Sequence, residues 1–353
     1  MKKKKNRSSF LRKFILVSFL ISCLAGVLLC LQFYKNIFNP NIVLSDKNNK
    51  FIYIKSDDSF NDVINKLSEI NLININSFKW VAEKKKYIQN IKSGKYLINN
   101  EMSNNDLINL LRSGNQTPVK LTFNNTRTIN DFVSKITSSL EIDSLSLLNA
   151  IYDKNFLENN NLTYDNVACI FIPNTYEFYW DVSCEDFLNR MLKEYDKFWN
   201  SERVKKSKSI KLTFIEVSTL ASIVQMEQNI KYDERPMIAG LYLNRLKKNM
   251  KLESDPTLIF ALKDFTLKRV LNKDKKVISP FNTYKYKGLP PGPICLPSSN
   301  SIDAVLNFEK HNYIFMCAKE DLSGYHNFAT NYKKHLKNAR RYQKMLSKKK
   351  IFR

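Results

Sequence analysis

The first hydrophobic feature of the chain is an uncharged run from Phe14 to Tyr34, long enough at about 21 residues to cross a bilayer as a helix. Beyond it the pattern breaks into short strand and helix periods. Phe51 to Ile54 predicts a strand, and Asp57-Asp58-Ser59 caps a helix through Val63, Ile64 and Leu67. Ser77 starts a second helix containing Phe78, Trp80, Val81 and Tyr87, and Gly94 to Ile98 returns as a strand. A further capped helix begins near Ser103 and stops at Gly114. From Thr117 the pattern restarts: a strand from Val119 to Phe123, an N-cap at Thr128, and helices near 130–139, 144–152 and 184–200. Between the last two lies an aromatic, proline-broken stretch from Ile170 to Phe178. The lysine-rich segment 205–211 reads as a solvated loop.

Thr213-Phe214-Ile215-Glu216 is a capping-box signature, which predicts a helix running to about Gln228. One side of it carries Ile215, Leu220, Ile223 and Val224. At about 100° per residue, Glu227 falls within roughly 60° of the last three, whereas Gln225 points the other way. A carboxyl on an apolar helix face is costly to ionise, so its pKa should rise toward neutrality, as a general acid requires. The periodicity also fits a carboxylate that escapes into solvent at the helix end, or one held in a buried structural ion pair.

The next helix has Pro236 near its first turn and a stripe of Met237, Leu241 and Asn244. A buried asparagine must find partners, so Asn244 is either a structural bracket or a ligand contact. Leu252 to Thr257 reads as a turn bearing two carboxylates, Glu253 and Asp255. The Gly/Pro-rich segment 280–293 can be neither helix nor central strand. Its Asn282 and Tyr284 suit either a groove wall or a rigid surface loop. Tyr313 to Ala318 reads as a buried strand, followed by Gly324 to Phe328 and a basic helix through Arg341.

The 353 residues are too many for one compact core, and 43% hydrophobic content is ample for folding. The net charge of +24 comes from 57 Lys and Arg against 33 Asp and Glu, spread along the chain among Asn, Ile, Tyr and Phe. That mixture matches the codon bias of an AT-rich genome; a phosphate-bearing surface is the alternative partner. No zinc-finger or basic-zipper pattern points to nucleic acid. Four cysteines lie outside the apolar run (Cys169, Cys184, Cys295, Cys317); none forms a CxxC pair, so neither metal nor redox chemistry is expected, and connectivity is not readable from spacing. Lysines 2–5, Arg7, Arg12 and Lys13 precede the apolar run, which lacks a good cleavage site. The basic flank should stay cytoplasmic, with all that follows Lys35 on the far side.

The expected organisation is therefore α+β: a cytoplasmic basic tail (1–13), one transmembrane helix (14–34), a linker (35–50), a small strand–helix–helix–strand module (51–115) and a mixed α+β region (116–353). Within the last, 212–345 is the core part, carrying Glu227 and the Gly/Pro-rich segment. The small module has the shape of the carbohydrate-binding LysM type, a shape that other α+β units share.

Seven blocks then carry a resemblance in the right order: Pro173-Asn174-Thr175-Tyr176, Leu220-Ala221-Ser222-Ile223-Val224-x-x-Glu227, Asn244-Arg245-Leu246, Asp255-Pro256-Thr257, Asn282-Thr283-Tyr284, Gly288 to Ile294, and His326-x-Phe328. The chain resembles the endolytic murein transglycosylase (MltG, YceG-like) family, in its Bacteroidetes-type versions. The family often carries Glu-x-Glu on its helix; here the first position is Gln225 and the second Glu227. The family's usual Asp in the Pro-Asp-Thr-Tyr block is Asn174. The resemblance implies a lytic transglycosylase that cuts the β-1,4 bond between N-acetylmuramic acid and N-acetylglucosamine and closes a 1,6-anhydro ring. Glu227 would be the catalytic residue, with Asn244, Asp255, Asn282 and Tyr284 positioning sugar or Glu227, and no metal or cofactor. It implies peptidoglycan strands as substrate, peptidoglycan synthases as possible partners, a single-pass inner-membrane anchor, and a terminase role facing the periplasm. The rival readings are a hydrolase (muramidase) using Glu253 or Asp255 as second carboxylate, and a non-catalytic wall-binding scaffold.

Overall fold

A computed structural model describes residues 3–44, 48–124, 126–267 and 269–349, with side chains from residue 10 onward. The ends of the expected tail (1–2) and of the expected catalytic region (350–353), residues 45–47 of the expected linker, and positions 125 and 268 lie outside the described residues. The side chains of Lys2 to Lys5 and Arg7, on which the cytoplasmic call rests, do too. The chain divides into two units: Met1–Val119 with Glu177–Asp181, and Lys120–Tyr176 with Val182–Arg353.

The first unit begins with α1 (Lys3–Phe38), whose stretch Phe10–Phe38 is apolar and long enough to cross a membrane. Then come β1 (Lys50–Ile54), α2 (Phe60–Glu69), α3 (Ile75–Lys84), β2 (Gly94–Ile98) and α4 (Asn104–Ser113). β1 and β2 pair antiparallel, with Ile52 opposite Tyr96. Ser59 closes a capping box on α2, and Gly114 takes the left-handed conformation that ends α4. α3 starts at Asn74 rather than Ser77, because the Asn74 side chain accepts from the Ser77 amide; Tyr87 lies beyond its end. Part of the expected linker is core. Ile42 and Leu44 are buried, and Asn41 donates to Asn104 Oδ1 at 2.7 Å.

The second unit continues with β3 (Val119–Phe123), α5 (Ile129–Thr137), α6 (Ser144–Ile151), α7 (Lys154–Asn159), β4 (Asn174–Phe178), which pairs with β3, and α8 (Cys184–Phe198). The lysine-rich segment expected as a loop is a helix, α9 (Ser201–Ile210). Asn200 caps it, Ser207 is its buried contact, and its lysines face water. Next are α10 (Phe214–Glu227), α11 (Arg235–Lys247), α12 (Asp255–Leu262), α13 (Ser299–Leu306), the antiparallel hairpin β5 (Phe315–Ala318) and β6 (His326–Ala329), and α14 (Tyr332–Lys348). β5, expected buried, is half-buried along its length.

α10 is the axis of this unit. Every residue from Val217 to Gln225 is buried, and the helix packs against α9, α11, α12 and α13. An α-helix covered on all sides must satisfy its polar side chains internally; α10 does so at Ser222 and Gln225, while the buried Thr219 hydroxyl has no hydrogen-bond partner among the described residues. Ser222 accepts from the Ile294 amide at 2.9 Å; Gln225 accepts from the Ser298 amide at 2.8 Å and from Ser301 Oγ at 2.7 Å. The six cysteines are unpaired, and burial pushes the Cys169 and Cys295 thiols up to about 12.

The Gly/Pro loop approaches so closely that a Cβ on Gly292 would meet the Asp165 carbonyl oxygen at 1.9 Å. Gly292→Ala should therefore destabilise the unit by about 1–3 kcal/mol, read as a lower denaturation midpoint at unchanged slope. A midpoint equal to wild type would refute this packing.

Candidate active site

Glu227 is the last residue of α10, and its carboxyl is enclosed by protein while the residue keeps a partial opening. Two hydroxyls grip one of its oxygens. Tyr242 on α11 donates to Oε1 at 2.7 Å, and Ser254, the residue before α12, donates to the same atom at 2.5 Å. Among the described residues no group bonds to Oε2. Burial pushes the Glu227 carboxyl above its ordinary value of 4.5, and Asp255 adds to the rise; the two hydroxyls and His326 oppose it without reversing it. Tyr242, itself buried beside this carboxyl, is pushed well above its ordinary range and stays a donor.

The partners of Glu227 are fixed by the blocks that follow it in the chain. Asp255-Pro256 does not make a plain turn; it opens α12, with proline in the first turn where no amide hydrogen is needed. Thr257 Oγ1 donates to the Ser254 carbonyl at 2.7 Å and lies 2.8 Å from Thr283 Oγ1, which accepts from the Ser254 amide at 3.0 Å. Asp-Pro-Thr and Asn-Thr-Tyr are therefore one hydrogen-bonded clamp that aims Ser254 at Glu227. Tyr284 closes it on the outside, donating to Asp255 Oδ1 at 2.6 Å. Burial, and then that bond, push the Tyr284 phenol up.

A pocket of about 320 Å³ opens on this assembly, lined among others by Glu227, Tyr242, Glu253, Asp255, Tyr284 and Tyr332. It unites three of the five residues singled out in the sequence: Glu227, Asp255 and Tyr284. Asn244 and Asn282 are not among its lining residues. Asn244 donates to the carbonyls of His311 and Tyr313, at 2.7 and 3.0 Å, and so brackets the strand leading into β5. Asn282 is fully buried; it donates to the Lys275 and Val277 carbonyls and accepts from the amides of Tyr284 and Lys285. Their amides are engaged with backbone, which is a bracing arrangement. Gln225 is engaged with α13, away from the pocket.

Three residues of the site escaped the sequence reading. Tyr242 sits about 100° from the Leu241–Asn244 stripe, off the face the periodicity picks out. Ser254 carried no signal beyond preceding Asp-Pro. Arg245 is buried, donates to the carbonyls of Ile314, Lys251 and Leu252, and pairs with Glu253 at 3.1 Å. Its place inside the Asn-Arg-Leu block was the available clue. Among the described residues no group of three or more His, Cys, Asp or Glu side chains is placed to hold a metal ion.

Chemically, the arrangement offers one carboxyl whose pKa burial raises, on the wall of a pocket, with one oxygen that has no hydrogen-bond partner among the described residues. The second carboxylate on the pocket wall, Asp255, is engaged by Tyr284, and Glu253 is engaged by Arg245.

A model for the YceG-like family matches residues 52–341. A Bacillus subtilis (strain 168) protein named endolytic murein transglycosylase is 36% identical over 167 residues, covering 46% of this chain and 44% of its own. A protein of the same name from Streptococcus pneumoniae serotype 2 (strain D39 / NCTC 7466) is 28% identical over 292 residues, covering 74% of this chain and 52% of its own. The chain spans about half the length of the curated relatives it matches. A crystal structure of a yceG-like protein from Listeria monocytogenes aligns with a TM-score of 0.55 at 25% identity, covering 83% of this chain and 99% of that one.

Folding raises the pKa of Glu227, so ionising it costs stability as pH climbs above 4.5, and the loss is complete once pH passes the raised folded value. Glu227→Gln should thus melt a few degrees above wild type at pH 8 and lose that advantage at pH 4. Equal melting at both pH values would contradict a desolvated carboxyl. Tyr242→Phe removes a donor that favours the carboxylate, so the alkaline limb of any Glu227-dependent activity should shift to higher pH. An unmoved limb would rule out the Tyr242 contact as a determinant of acidity.

Proposed function

The chain belongs to the YceG-like family, and from that membership we infer that it is an endolytic lytic transglycosylase acting on peptidoglycan strands. The observation that carries the reading is the enclosed Glu227 carboxyl, with both hydroxyl donors on Oε1 and Oε2 left for a substrate proton.

In the first step Glu227 gives its proton to the glycosidic oxygen between N-acetylmuramic acid and N-acetylglucosamine. The C1–O bond breaks, the N-acetylglucosamine hydroxyl leaves, and positive oxocarbenium character develops at the muramic C1. The Tyr242 and Ser254 hydroxyls stabilise the carboxylate this leaves behind. In the second step the carboxylate takes the proton of the muramic C6 hydroxyl as that oxygen attacks C1. A 1,6-anhydro ring closes, Glu227 is protonated again, and no water is consumed. One carboxyl serves both steps, which suits a site whose other acids are engaged with Tyr284 and Arg245. Asp255 lines the same pocket and favours one rival, hydrolysis with Asp255 as the second carboxylate.

The reading extends to the rest of the chain. α1 anchors the protein in the inner membrane with its basic flank inside and the catalytic region in the periplasm. The β1-α2-α3-β2 arrangement is LysM-like and holds glycan. A membrane-tethered cutter near peptidoglycan synthases would act as a terminase, releasing nascent strands.

Glu227→Gln should lower strand cleavage by about 10²–10⁴-fold while strand binding persists. Wild-type products read by mass should carry 1,6-anhydro-muramic ends. Reducing muramic ends would replace the lyase with the hydrolase; cleavage that persists in the variant would remove Glu227 from the chemistry.

A further inference from the structure

α14 contains no acidic residue in its 17 positions. Lys333, Lys337, Arg340, Lys344 and Lys348 recur at spacings of three and four, so they share a stripe roughly 80° wide. All five are exposed, and among the described residues none of them enters an ion pair. Their neighbour Arg341 does, with Glu320 at 3.3 Å. The opposite side of the helix packs on the unit: His335 stacks on Phe315 with ring centroids 5.2 Å apart. α14 thus presents a one-sided row of cations, one per turn of about 5.4 Å, over roughly 22 Å.

This row does not stand apart from the catalytic pocket. Tyr332, the first residue of α14, lines the Glu227 pocket and also the basic face formed by Lys333, Lys337, Arg340 and Lys344. It is 60% exposed, an open aromatic at the junction. A polymer leaving the pocket past Tyr332 would run onto the cations.

We propose that the basic face of α14 is an extension of the substrate groove, which binds the carboxylates of the peptide stems borne by the glycan strand. The inference rests on the reading of Glu227 given above. Stems attach to the muramic residues only, so their free carboxylates recur along the strand at every second sugar. A row of exposed cations at regular rise matches a chain of mobile anions without demanding one fixed geometry. Exposed contacts of this kind are individually weak and screened by salt, so the groove would grip strands that carry many stems and slide along them.

The test compares kcat/KM on stem-bearing strands and on strands stripped of their stems, using the detergent-solubilised full chain at low ionic strength. The triple variant Lys337→Gln, Arg340→Gln, Lys344→Gln keeps helix-forming residues and leaves the Asn331 cap and the Arg341–Glu320 pair intact. The ratio of kcat/KM, stem-bearing over stripped, should fall roughly tenfold in the variant. Should the variant misfold, the wild type carries the test: its ratio should fall as salt rises. A ratio that is wild-type in the variant, or indifferent to salt in the wild type, overturns the proposal. So does an unchanged ratio accompanied by loss of a dependence on phosphatidylglycerol when the protein is reconstituted in vesicles, since the face would then bind lipid. If the wild type yields anhydro ends from neither strand, the reading of Glu227 fails first and takes this one with it; normal cutting with an unchanged ratio overturns this one alone.

Discussion

Keeping the Glu227 carboxyl out of water is the constraint on which the second unit turns. A carboxyl in that position keeps a raised pKa only if the surrounding helix is covered and no cation sits against it. α10 meets the first condition, with nine consecutive residues buried from Val217 to Gln225. The second is met because Arg245, the buried guanidinium nearest in sequence to the clamp, is committed to carbonyls and to Glu253. What touches Glu227 instead is two neutral hydroxyls. They lower the cost of the carboxylate form without fixing it, which leaves the proton transferable in both directions.

The supporting shell explains why short blocks far apart in the chain belong together. Thr257 and Thr283 join through their hydroxyls, Ser254 hangs from that junction, and Tyr284 ties Asp255 across it. Glu253, just before Ser254, adopts a left-handed backbone at φ 53°, unfavourable by about 1–2 kcal/mol for a residue with a Cβ. Its pairing with Arg245 offsets part of that strain. Each element is ordinary alone; together they set one hydroxyl within hydrogen-bond reach of one carboxyl oxygen.

Much of this was legible in the sequence. The helix caps at Ser59 and Thr128 and the capping box at Thr213 are local chemistry, and the structure forms all three, each as a capping box. Helix phase separated Glu227 from Gln225, because a 200° difference in direction survives any packing. Other features were hidden for physical reasons. α12 was masked by Asp-Pro, which serves a helix start as well as a turn. α9 was masked by its lysines, which face water and leave Ser207 as its one buried residue. Asn244 and Asn282 carry amides equally suited to backbone and to sugar, and only their hydrogen bonds distinguish the two uses. Tyr242 could not be found from periodicity at all, since its position is fixed by how α11 crosses α10.

The most direct measurement is a carbon-13 NMR titration of the Glu227 side-chain carboxyl in the intact protein. The expected midpoint lies above the ordinary 4.5, and should rise further when Tyr242 or Ser254 loses its hydroxyl. A carboxyl that titrates at its ordinary value, unmoved by either substitution, would contradict the assignment of Glu227 as a desolvated general acid.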